Sequence, residues 1–154
     1  MKFKIEYTEN IRQQQLLYLV DECSFYTNYI NQGIDLELIF NKITLQVLNN
    51  EIVDLNGFCG LSKEMSADIK VPSSKKGILK VEYISENGFS YEINEKFDHE
   101  YPVYINIETG WVCVGNPNIK KKSVEFINNC IAVINDNGNL ASVWLKPKKL
   151  PIFI

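Results

Sequence analysis

The chain reads as an α+β protein: a predominantly antiparallel, strongly bent sheet, or a two-layer β structure, with one or two N-terminal helices. Three observations lead there. Short runs rich in Val, Ile, Phe and Tyr recur between Asn-Gly, Asn-Asn and Gly-containing turn signals. Residues 9–23 carry apolar side chains at roughly helical spacing, and that helix extends to about Gln32. The 154 residues, 45% hydrophobic and 23% charged, make one ordinary globular domain spanning 1–154. About seven to nine strands in so short a chain must curl around a helix or stack in two layers.

Residues 2–7 alternate Phe3, Ile5 and Tyr7 with Lys2, Lys4 and Glu6, the pattern of a half-buried strand. In the helix expected next, Asn10 is the N-cap and Gln13 its capping-box partner. Ile11, Leu16, Leu17, Val20 and Cys23 share its apolar face. Gly33 terminates the helical stretch through a left-handed residue, and a strand follows over 35–40. Runs 43–48 and 52–58 form a hairpin about Asn49-Asn50-Glu51. Residues 61–70 read as a short helix, and 72–77 as a loop. A strand over 78–84 turns at Glu86-Asn87-Gly88 and returns through 89–93. Runs 103–107 and 111–114 flank Glu108-Thr109-Gly110, where Gly supplies positive φ.

The last block is the densest in β-forming residues. Residues 124–134 and 140–145 flank Asn137-Gly138, read as the two central residues of a type I′ turn. Ile131 then faces Trp144 and Val133 faces Ser142. Ile131, Val133, Leu140 and Trp144 share one face, while Cys130, Ala132, Ile134, Ala141, Val143 and Leu145 share the other. Both faces are apolar, so this hairpin should be covered on both sides. The tail after Lys146 is extended, with Ile152, Phe153 and Ile154 docking back.

The net charge of −3 is unevenly spread. Between residues 82 and 108, Glu82, Glu86, Glu92, Glu95, Asp98, Glu100 and Glu108 oppose only Lys96. Lys120, Lys121, Lys122, Lys146, Lys148 and Lys149 make the C-terminal part modestly basic. An acidic middle favours a cationic partner over nucleic acid. The single arginine, Arg12, argues against a phosphate reader. The lysine clusters read as solubilising strand ends. No apolar run is long enough to span a bilayer, and MKFKIEYTEN lacks the apolar core of a signal peptide. The expected location is therefore the cytoplasm, with no membrane partner.

Catalytic chemistry finds little support. Cys23, Cys59, Cys113 and Cys130 show no C-x-x-C spacing, and one histidine is too few for a zinc site; the thiols read as buried packing groups. No phosphate-loop, dinucleotide, nucleophile-elbow or zinc-protease motif occurs. No catalytic residue, metal or cofactor is assigned. An enzyme here would have to use His99, set between Asp98 and Glu100, with a carboxylate or cysteine partner. The carboxylates Glu92/Glu95 and Asp98/Glu100 lie near Phe89, Tyr91, Phe97, Tyr101 and Tyr104, but read as a solvated acidic loop.

Two segments carry a resemblance: ETGWVCVG at 108–115, and VEF at 124–126 running on to GNLASVWLKP at 138–147. They are similar to the strand pattern that closes several bacterial toxin-immunity families of contact-dependent and polymorphic toxin systems. The resemblance covers roughly the last third of the chain. It implies a small cytoplasmic binding protein that neutralises a cognate, basic, nuclease-type toxin, and it transfers no binding residue. Richness in Asn, Ile and Lys fits an AT-rich bacterial gene. On the residues themselves, the partner-binding set is Glu92, Glu95, Asp98, Glu100 and Tyr101, with Tyr91 and Phe97 as aromatic anchors. The expected state is a monomer or weak homodimer. A structural module that dimerises through edge strands is the third reading.

Overall fold

The computed structural model describes residues 1–30, 33–83, 88–93 and 102–153. Among them run thirteen strands: β1 (Lys2–Tyr7), β2 (Leu16–Leu19), β3 (Ser24–Thr27), β4 (Leu36–Phe40), β5 (Ile43–Leu48), β6 (Glu51–Phe58), β7 (Lys75–Tyr83), β8 (Ser90–Glu92), β9 (Val103–Asn106), β10 (Trp111–Gly115), β11 (Lys122–Ile127), β12 (Cys130–Ile134) and β13 (Leu140–Leu145). Among the described residues there is no α-helix, only 3₁₀ turns at Val20–Glu22 and Lys63–Met65. The fold is therefore nearly all β, which corrects the α+β expectation and removes its N-terminal helices.

The reasons are local. Where a helix was expected over 9–23, Leu16 and Tyr18 are buried in alternation along β2, while Val20 and Cys23 are exposed. The glutamines are bound to distant partners: Gln14 Nε2 donates to the Val53 carbonyl at 2.6 Å, and the Gln15 backbone N–H donates to the Asn28 side-chain Oδ1 at 2.6 Å. Cys23, at φ 51°, reverses the chain from β2 into β3, so residues 24–27 are strand. The helix expected over 61–70 shrinks to one 3₁₀ turn because the backbone beyond it is taken by β9: Ala67 N–H donates to the Ile105 carbonyl at 2.9 Å. Pairing with a neighbour outweighs weak helix propensity in each case.

One sheet runs β8–β4–β5–β6–β7–β11–β12–β13–β10–β9, with β1 on β7 and the β2–β3 hairpin joined to β6. Most pairings are antiparallel; β7–β11 and β4–β8 are parallel. The second of these is a correction. Residues 84–87, which include the expected Asn87 turn position, lie outside the described residues, and β8 pairs with β4 instead of returning along β7. The sheet curls so that both halves line one core. Leu38, Phe40, Leu45, Leu55 and Leu79 from the first half meet Val112, Val114, Val124, Phe126 and Val143 from the second.

The turns follow φ chemistry. Asn49 at φ 51° and Asn50 at φ 63° form a two-residue connection with Leu48 opposite Glu51. Positive φ at both central positions makes this the primed hairpin turn. The Asn137-Gly138 turn differs from expectation. Only Gly138 has positive φ, Gly138 N–H donates to the Asn135 carbonyl at 3.0 Å, and Asn135 Oδ1 accepts from the Asn137 and Asn139 N–H groups. The loop is thus three residues, a type I turn closed by glycine. The register beyond it matches expectation, with Ile131 opposite Trp144 and Val133 opposite Ser142. An irregularity between Val133 and Ile134 pairs Ile134 with Leu140, which exchanges two side chains between faces. Leu140 joins the main core and Ala141 joins the outer cluster. The long run 124–134 is itself broken by Asn128-Asn129, where Asn129 at φ 63° turns β11 into β12.

The outer face of the second half carries a smaller cluster of Ile69, Cys113, Ile131, Val133, Ala141 and Trp144. A strap formed by residues 66–71 covers it. The expected coverage of both faces is present, supplied by this strap and by Ile119. In the tail, Lys148 N–H donates to the Leu16 carbonyl at 3.0 Å, and Leu150 and Phe153 pack on the main core. Ile152 remains 82% exposed, and Ile154 lies outside the described residues.

Candidate functional site

The outer face of β8, β4, β5 and β6 is built by simple alternation. In β4, Leu36, Leu38 and Phe40 turn to the core; in β5, Ile43, Leu45 and Val47 do the same. Their intervening residues therefore point outward. Cross-strand pairing lines these up in two rows. One runs Ser90, Glu37, Gln46, Asp54, and the other Glu92, Ile39, Thr44, Asn56. Neither row contains a lysine or arginine. Three carboxylates, Glu37, Asp54 and Glu92, stand among neutral polar groups, with Ile39 as the one apolar member. Phe89, just before β8, is exposed, and its carbonyl accepts from the Glu37 N–H at 2.7 Å.

Asp54 differs from the other two. It is 8% exposed, and its Oδ1 accepts from the Thr27 hydroxyl and from the Leu55 N–H at 2.8 Å. Burial pushes its pKa up from the ordinary carboxylate value, opposed by the Thr27 and Leu55 hydrogen bonds and by the Arg12 charge. Its position ties β3 to β6, so its part is structural. Glu92 is exposed and Glu37 half-exposed, leaving both open to solvent.

The sequence-derived binding set divides here. Tyr91 and Glu92 lie on β8. Glu92 belongs to the outer row, whereas Tyr91 stands opposite Leu38 and packs against the main core. Glu95, Phe97, Asp98, Glu100 and Tyr101 lie outside the described residues, as does His99. Glu37 and Ile39 were missed by sequence reasoning. The alternation LELIF over 36–40 marks both as outward-facing, but that they neighbour β8 follows only from a parallel pairing across a long sequence gap.

The thiols are mostly inert, because a buried thiol resists ionisation. Burial raises Cys59 to about 11 and Cys113 to about 12, and pushes Cys130 well above the ordinary thiol value. Cys23 departs from the expected burial and is exposed. Among the described residues, no group of three or more His, Cys, Asp or Glu side chains could hold a metal ion. No helix among them is long and apolar enough to cross a membrane.

A cleft of about 470 Å³ lies between β1 and the Asn137-Gly138 loop, lined by Lys2, Lys4, Tyr7, Glu82 and Lys122 among others. Its charges are mixed, and Phe3 N–H bridges it to the Gly138 carbonyl at 2.8 Å. A smaller, more apolar cleft of about 340 Å³ separates Tyr18 and Val20 from the tail residues 149–152. No protein-family model, curated protein or solved structure matches the chain. The class stands on architecture alone: a nearly all-β, curled antiparallel-rich sheet with one open acidic outer face.

Proposed function

We propose that the protein is a cytoplasmic, immunity-type binding module that neutralises a cognate basic toxin, of nuclease type, by covering its substrate cleft. The observation that carries this reading is the open outer face of β8–β4–β5, with Glu37 and Glu92 in adjoining rows and no cation within either row. In the chain this face runs directly into the acidic stretch holding Glu95, Asp98 and Glu100. Carboxylates presented over low-dielectric protein steer a cationic surface into contact. Ile39 supplies apolar area that slows dissociation once water is expelled.

The experiment is co-purification with the product of the adjacent gene, followed by binding measurements at several ionic strengths. Affinity is expected to fall by at least about tenfold between roughly 50 and 500 mM salt. Glu37→Lys combined with Glu92→Lys should slow association further. A partner bound with equal affinity at both salt concentrations, and by the double variant, would falsify the reading.

A further inference from the structure

We propose that the β2 edge, together with the tail beside it, is a self-association surface that takes a second copy of this chain in an antiparallel, two-fold arrangement. This goes beyond the toxin-binding reading and uses a different face.

Exposed large apolar side chains gather at this place. Val20 is 56% exposed and Ile152 82%. Val20 and Ile152 line the same 340 Å³ cleft, with Tyr18 and Leu150. A protruding Ile152 thus sits beside a recess of its own character. Knob and recess on one patch meet the requirement of an isologous contact, where the same surface must complement itself.

The backbone adds directionality. The Leu16 carbonyl points away from β3 to the Lys148 N–H. Groups two residues apart in a strand point the same way, so the Tyr18 N–H and C=O face the cleft. An extended apolar segment entering there finds a donor and an acceptor as well as apolar walls.

Charge selects the occupant. Exposed Lys148 and Lys149 lie beside the start of β2, Lys149 lining the cleft itself, and exposed Asp21 and Glu22 follow its end. The patch is apolar in the middle, cationic at one end and anionic at the other. Antiparallel apposition of two copies places Lys148 of each against Asp21 and Glu22 of the other. A parallel arrangement would oppose like charges.

Sedimentation of the full chain over a range of concentrations tests this. The mass should rise toward that of a dimer with concentration. Val20→Asp and Ile152→Asp change exposed positions, so they should leave the thermal melt unchanged while weakening association by at least about tenfold. Lys148→Glu alone and Asp21→Lys alone should each weaken it, and the two together should recover most of the loss. A chain that sediments as a monomer up to roughly millimolar concentration overturns the proposal. So does a charge-exchanged double variant no better than either single one.

Discussion

The two halves of the sheet share one inner core but treat their outer faces in opposite ways. On β9–β13 the outer face is apolar, centred on Trp144, and sealed by the 66–71 strap. On β8–β4–β5 it is polar, carries Glu37 and Glu92, and stays open. Asn106 shows how the seal is held. Its Nδ2 donates to the Ile69 carbonyl at 2.9 Å, and its Oδ1 accepts from the Glu108 and Thr109 N–H groups. One side chain thereby fastens the strap and shapes the β9–β10 turn. A curled sheet has more convex surface than one short chain can cover. This chain covers the half where apolar residues face out and leaves polar residues on the other.

The strongest attack on that division is Trp144→Ala. The ring is fully buried, and its Nε1 donates to Ser142 Oγ at 3.1 Å. The loss should be about 3–5 kcal/mol by denaturant unfolding. A cost below about 1 kcal/mol would mean that the outer cluster is not a second core. Asn106→Ala should cost about 1–3 kcal/mol, since it takes the donor from the buried Ile69 carbonyl and the acceptor from the β9–β10 turn. Limited proteolysis should then cut first within 66–71, and cleavage elsewhere would break the link between Asn106 and the strap.

Asp54 sharpens the comparison through pH. Its folded pKa is raised by burial, so the folded state holds the proton more tightly than the unfolded chain. The protonated form is the favoured one. Stability from this group is fully present below the ordinary carboxylate pKa and is lost as pH rises through the folded value. Unfolding curves across mildly acidic pH should therefore show wild type losing stability relative to Asp54→Asn as pH rises. Asparagine keeps an oxygen for the Thr27 and Leu55 donors, so a constant offset between the two proteins would refute the assignment. The smallest effect belongs to the open face. Glu37→Lys with Glu92→Lys should move stability by no more than about 0.5 kcal/mol while slowing association with the proposed partner. A large destabilisation would show that this face is structural after all.

Several elements were legible in the residues. The alternation in β1 and β5, the existence of a strand over 35–40, the Gly110 turn and the far register of β12–β13 all follow from local pattern and φ chemistry. Tyr7 is a partial miss, since it follows the inward pattern yet is largely exposed and donates to the Ser123 carbonyl at 3.2 Å. Residues 9–23 were misread because LLYLV suits either period, and the deciding partner, β3, was itself obscure in sequence. Of the recognition set, Glu92 could be placed by pattern, but its neighbour Glu37 could not.

Sequence alone determined that the chain is rich in strands, which residues alternate, where asparagine and glycine can turn it, and that its charge is acidic in the middle. These are short-range properties, set by φ preferences and side-chain period. Tertiary structure decided that ambiguous segments are strands, that β8 lies parallel to β4, and that one outer face is sealed while the other is open. Those outcomes depend on which distant backbone groups and apolar surfaces meet, and no local pattern encodes that choice.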